Sequence, residues 1–157
     1  MDVFRNLYEA LLNKRYTVAA AESCTAGLFS AKLAEIPGAS EVMLYGFVVY
    51  SEAAKCDLVY VHPETIRRHG VVSEQTAAEM AKGAALHAKA ECGIGITGFA
   101  GPSADPDYPV GRVCFGFCVN GSVSTETVEF GNIGRNPVRE KSALHAAQRL
   151  LQLLAER

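Results

Sequence analysis

A serine, a cysteine and a threonine stand together at Ser23-Cys24-Thr25. Before them comes an apolar run, Thr17-Val18-Ala19-Ala20-Ala21, and after them an amphipathic run from Leu28 to Glu35. The first reads as a strand and the second as a helix, so the three residues fall on a strand-to-helix turn. Backbone N–H groups at a helix start have no partner within the helix. A hydroxyl or thiol beside them can attack a carbonyl while they hold the resulting oxyanion. The plainer alternative is that Ser23 caps the helix with its hydroxyl. The two roles need different side-chain directions, and a nucleophile must turn toward a base.

Tyr50-Ser51-Glu52-Ala53-Ala54-Lys55 offers such a base. Tyr50 ends a β-like run, and Lys55 falls in the first turns of the next helix. The macrodipole disfavours a cation there, and burial lowers the proton affinity of an amine further. A neutral lysine can take the proton of a serine hydroxyl. A nearby tyrosine can relay that proton or protonate a leaving group. Read plainly, the same residues are a solvated lysine and a core tyrosine.

Two further segments could line a site. In Ile94-Gly95-Ile96-Thr97-Gly98-Phe99-Ala100-Gly101-Pro102, Thr97 ends a strand. Gly98 and Gly101 would let backbone approach a bound group closely. The stretch Gly93 to Gly98 spells Gly-x-Gly-x-x-Gly, but its glycines lie within the strand and no helix pattern follows, which argues against a dinucleotide site. In Gly134-Arg135-Asn136-Pro137-Val138-Arg139, two arginines flank the start of the last helix. With free N–H groups they would make a phosphate site. Glu140 offers an ordinary ion-pair partner instead.

The elements that must position these residues follow from periodicity. Residues 2–14 read as a helix, 17–21 as a strand, 25–35 as a helix that Pro37-Gly38 breaks, and 42–50 as a strand. Ser51 caps a helix through Leu58, and Ser73 caps an alanine-rich helix to about Ala90. Residues 93–97 form a buried strand and 98–109 a loop. Strands at 110–119 and 122–130 are joined by Asn120-Gly121, a type I′ hairpin pair. Asn136 and Pro137 start the last helix, whose apolar face is Leu144, Ala147, Leu150, Leu151 and Leu154. The expected fold is α/β, with helices on both faces of a mixed, mostly parallel sheet. Ligands in such sheets sit beyond the carboxyl ends of parallel strands. If 17–21, 42–50 and 93–97 are parallel neighbours, Ser23, Tyr50, Lys55 and Thr97 share one rim, within reach of Arg135.

The 157 residues suggest one domain over 1–157. A 49% hydrophobic and 20% charged chain can bury a core. A net charge of −2 without a basic stripe gives no sign of nucleic-acid binding. No apolar run spans a membrane, and the first residues do not form a signal peptide, so a soluble, cytoplasmic protein is expected. The cysteines are Cys24, Cys56, Cys92, Cys114 and Cys118. Four residues of strand set Cys114 about 13 Å from Cys118, too far for a disulfide or a shared metal. Neither these nor the four histidines show metal-ligand spacing, so no metal is expected.

Over nearly its whole length the chain resembles the CinA C-terminal domain family, the nicotinamide mononucleotide deamidases. The resemblance rests on four motifs in order: residues 17–25; Gly46-Phe47-Val48-Val49-Tyr50-Ser51 with Lys55; Gly70-Val71-Val72-Ser73-Glu74; and Thr97 to Pro102 followed by Pro109-Val110-Gly111. It implies a three-layer α/β/α fold and hydrolysis of the nicotinamide amide to nicotinate mononucleotide and ammonia, in pyridine nucleotide salvage. It implies Ser23 as nucleophile, Lys55 as general base and Tyr50 in assistance. Cys24, Thr25, Gly27, Thr97, Gly98, Gly101, Arg135 and Arg139 would line the site and hold the nucleotide. It further implies a homodimer and no organic cofactor.

Some positions depart from the family's pattern. Ala26 replaces a common glycine, Glu52 a usual asparagine, and Ser103-Ala104 a typical Gly-Gly. The N-terminal molybdopterin-binding-like domain of two-domain members has no room in 157 residues, and its activities are not expected. The alternative is a nucleotide-binding or regulatory module that keeps the pocket without the chemistry, which Ala26 and Glu52 would favour. A Cys24 nucleophile is a third reading.

Overall fold

Asp2 begins the first helix by accepting hydrogen bonds from the amides of Phe4 and Arg5. That helix, α1 (Val3–Lys14), turns Phe4, Leu7 and Leu11 inward. The chain continues through β1 (Val18–Glu22), α2 (Leu28–Ala34), a 3-10 turn (Ala39–Glu41), β2 (Tyr45–Val48), α3 (Glu52–Val59), α4 (Pro63–His69) and α5 (Glu74–Ala88). It ends with β3 (Cys92–Gly98), β4 (Arg112–Val119), β5 (Ser122–Glu129) and α6 (Arg135–Ala155). The computed structural model describes residues 2–103 and 105–157. Ala104, in the pair that departs from the family's Gly-Gly, lies outside the described residues.

The five strands form one sheet in the order β2-β1-β3-β4-β5. β1 pairs in parallel with both β2 and β3, as the shared-rim reading requires. β4 runs antiparallel to β3, and β5 antiparallel to β4, so β5 runs with the first three strands. Apolar side chains of α1, α2 and α6 cover one face, with Leu7, Leu11, Phe29, Leu33, Ile94, Ile96, Phe115, Phe117 and Leu150 in the larger core. On the other face Ala19, Ala21 and Phe47 pack with Val59 of α3, Ile66 of α4, and Met80 and Ala84 of α5. The architecture is thus the three-layer α/β/α sandwich with a mixed sheet.

The glycines within the strands have a packing role. A Cβ on Gly95 or Gly116 would collide with the carbonyl of Ala77, and one on Gly93 with that of Ala81. They let α5 lie directly against β3 and β4. This explains the glycine spacing that superficially matched a dinucleotide fingerprint. At the hairpin, Asn120 and Gly121 take φ values of 49° and 81°, as a type I′ turn requires.

Several boundaries differ from the periodicity. β2 is only four residues long, because Val42 is drawn into the 3-10 turn and the core. The sequence reading passed over α4, although Pro63 at its first turn and Glu64 beside it are start signals. α6 starts at Arg135 after Gly134, so Asn136 lies inside the first turn rather than at the cap. Leu144 faces solvent; the buried stripe includes Val138, Ala143, Ala146, Ala147, Leu150 and Leu154. Among the described residues no helix is long and apolar enough to cross a membrane. All five cysteines are free.

Candidate active site

The carboxyl ends of β1, β2 and β3 converge around Ser23. Its amide donates to Ile96 O of β3 at 3.0 Å, and the Val49 amide donates to Glu22 O at 2.9 Å. The chain then turns sharply: the Ala26 amide donates to Ser23 O at 3.0 Å, and Ala26 and Gly27 take φ values of 47° and 94°. The left-handed geometry at Ala26 is one that glycine adopts without strain.

Ser23 does not cap α2. The fully buried carboxylate of Glu22 does, accepting from the amides of Phe29 at 2.8 Å and Ser30 at 3.1 Å, and from Ser30 Oγ at 2.8 Å. Those helix-start amides are therefore taken and cannot hold an oxyanion. The amides of Cys24 and Thr25, one turn earlier, donate to no backbone acceptor among the described residues. Sequence reasoning missed Glu22. The available signal was a carboxylate at the end of an apolar strand, immediately before a helix.

Lys55 faces Ser23. Ser51 caps α3 by accepting from the Ala54 amide at 3.0 Å, and this sets Lys55 over the end of β2. The lysine is 1% exposed. Its Nζ lies 2.9 Å from Val49 O and 3.0 Å from Ser23 Oγ. Burial holds its pKa below the usual 10.5, only partly opposed by Cys24, Glu52 and Cys56. A neutral Nζ at this distance can accept the hydroxyl proton while it donates to Val49 O.

The remaining candidates separate into two groups. Ser23, Cys24, Tyr50, Lys55, Thr97, Gly98 and Arg135 line one cavity of about 190 Å³, together with Val71, Val72, Phe99 and Ala100. Thr97 Oγ1 donates to Val71 O at 2.8 Å and so fixes the facing wall. Tyr50 is 57% exposed, and its hydroxyl accepts from Arg135 at 2.7 Å. Arg135 also donates to Gly101 O at 2.8 Å, joining the end of β2 to the loop after β3. Gly98 lacks a Cβ chiefly to make room for Val113 and Arg112 of β4. Burial pushes the Cys24 thiol up to about 12, which favours the protonated thiol over the nucleophilic thiolate.

Thr25, Gly27, Gly101 and Arg139 stand outside that lining. Thr25 is fully buried, and Gly27 precedes α2 beside Val48. Arg139 lies behind the turn, donating to Cys24 O at 3.0 Å and Thr25 O at 3.1 Å. Its guanidinium is spent on carbonyls because the turn presents two of them to the first turns of α6. A larger groove of about 740 Å³ runs along α5, β4 and β5. There Glu74 is held by Thr125 and Thr127, and no hydroxyl–amine pair occurs in its lining.

Comparison with known proteins shows the family of the chain. The CinA C-terminal domain family model matches residues 2–154. A CinA-like protein of Chlorobaculum tepidum is 42% identical over 140 residues, covering 85% of this chain and 33% of its own length. A CinA-like protein of Kosmotoga olearia is 41% identical over 131 residues, covering 83% of this chain and 32% of its own. The chain thus spans about a third of these relatives. Among solved structures, the competence/damage inducible protein CihA from Agrobacterium tumefaciens has a TM-score of 0.92 and 37% identity, covering 96% of this chain and 93% of its own.

Proposed function

Since the chain belongs to the CinA C-terminal domain family, we propose that it hydrolyses the carboxamide of nicotinamide mononucleotide to nicotinate mononucleotide and ammonia. The observation that carries this reading is the 3.0 Å approach of Lys55 Nζ to Ser23 Oγ, with the lysine buried and in contact with neutral oxygens. Neutral Lys55 takes the hydroxyl proton as Ser23 Oγ bonds to the amide carbon. The oxyanion forms beside the free amide of Cys24, which lines the cavity. The C–N bond breaks as Lys55 returns the proton to the leaving nitrogen, which departs as ammonia. Water, deprotonated by the same amine, then opens the acyl ester and frees the carboxylate. Tyr50 orients Arg135, which faces the anionic end of the nucleotide. At about 190 Å³ the cavity suits the carboxamide and its ring, with the ribose phosphate toward the Arg135 wall. Ammonia release from nicotinamide mononucleotide tests the reading: wild type turns over, Ser23→Ala does not, and an inactive wild type from pH 6 to 10 would sink it.

Assembly as a homodimer through β2 belongs to the same proposal. This edge strand carries no charged residue and no proline to block pairing, unlike β5 with Glu126 and Glu129. Tyr45, Val48, Leu58, Tyr60 and Leu86 are between 40% and 68% exposed around it. Leu44 and Tyr50, at its two ends, are exposed as well. A second copy satisfies this surface by pairing like edge with like edge.

A further inference from the structure

We infer that Arg139 is a positioning residue for the nucleophile turn, holding the Cys24 and Thr25 carbonyls so that Ser23 and the Cys24 amide keep their places at the cavity. The inference rests on the Ser23 reading above and goes beyond it, because Arg139 touches neither the cavity nor Ser23 itself.

Three of its donors meet three neutral oxygens: Nε meets Cys24 O at 3.0 Å, one terminal nitrogen meets Thr25 O at 3.1 Å, and the other meets Asn136 Oδ1 at 3.1 Å. A guanidinium so near a helix start is electrostatically disfavoured, and here no carboxylate compensates it. The carbonyls it holds belong to the segment that must be shaped for catalysis. Peptide groups are planar and trans, so holding these two carbonyls fixes the peptide planes that follow Ser23-Cys24. Thr25 O also accepts from the Leu28 amide at 3.0 Å, so the second carbonyl is pinned from two sides. The strained geometry just beyond, with φ of 47° at Ala26, is the kind of turn that relaxes when such a clamp is removed.

The test compares wild type, Arg139→Lys and Arg139→Ala, each checked for folding by circular dichroism and thermal melting. Two readouts are taken: kcat and KM for ammonia release, and the rate at which a fluorophosphonate labels Ser23, followed by peptide mass spectrometry. Fluorophosphonate labelling needs the nucleophile and the oxyanion donors but not the natural substrate. For Arg139→Ala, kcat and labelling should both fall tenfold or more, against ~10²–10³ for outright loss of an oxyanion donor, with KM within about twofold. Guanidinium ion at millimolar concentration should restore part of the labelling rate by remaking the bonds to Cys24 O and Thr25 O. Arg139→Lys should fall between. Unchanged labelling in a folded Arg139→Ala overturns the inference, as does a raised KM with kcat intact, which would make Arg139 a substrate ligand. Labelling of wild-type Ser23 without ammonia release refutes the proposed substrate while leaving this test decisive. Absence of both refutes the two together.

Discussion

Lys55 sits 3.0 Å from Ser23 Oγ and 2.9 Å from Val49 O, so burial chiefly decides its charge. Burial favours the neutral amine, the form that can accept a proton. Turnover should therefore rise with pH through a single limb centred below 10.5, the value of an unperturbed lysine. Glu52, in the first turn of α3, pulls the other way by stabilising the ammonium. Removing that carboxylate lowers the lysine pKa, so Glu52→Asn should shift the limb of kcat/KM to lower pH and raise activity at neutral pH. A limb that stays put or moves to higher pH would show that Lys55 is not the titrating base. Cys24 gives the opposite lesson: burial, which favours the neutral amine in Lys55, favours the unreactive protonated thiol in Cys24.

At the scale of elements, the turn between β1 and α2 is held by two groups that neither periodicity nor capping rules reveal. Glu22 reaches forward seven residues to cap α2, and Arg139 reaches back from α6. Glu22→Ala removes the cap and leaves buried amides unpaired, at a cost of about 2 kcal/mol. Urea unfolding should show this as a lower midpoint at unchanged slope; an unchanged midpoint would contradict the capping role. The strand-end placement of Ser23 and Thr97, and that of Lys55 in the first turns of α3, was legible in the sequence, because apolar runs mark where β1 and β3 stop and Ser51 marks where α3 starts. The division of labour at the turn was not legible. Whether an arginine faces a ligand or a carbonyl depends on how α6 lies against α2, a long-range packing outcome that local spacing does not encode. The strand expected over 42–50 shortened for the same reason, since Val42 contributes more in the core than in an edge ladder.

Across the whole molecule, one parallel trio of strands gathers the site, while β4, β5 and α5 form a rigid back wall. That wall depends on Gly93, Gly95 and Gly116, where helix meets sheet without side chains between them. The free β2 edge is the opposite case, an apolar surface left open beside the Tyr50 end of the cavity. If two copies pair there, Tyr45→Glu should convert the dimer to monomer in sedimentation velocity at micromolar concentration, with its circular dichroism unchanged. A dimer that persists unaltered would move the interface elsewhere.

The most direct measurement is the covalent state of Ser23 during turnover. Wild-type protein is mixed with nicotinamide mononucleotide, quenched in acid at intervals, and digested for mass spectrometry while released ammonia is followed in parallel. The expected result is a nicotinoyl-nucleotide ester on Ser23 that appears with the first ammonia and decays as nicotinate mononucleotide forms, with neither signal in Ser23→Ala. Ammonia release by Ser23→Ala at the wild-type rate would contradict the Ser23–Lys55 mechanism outright.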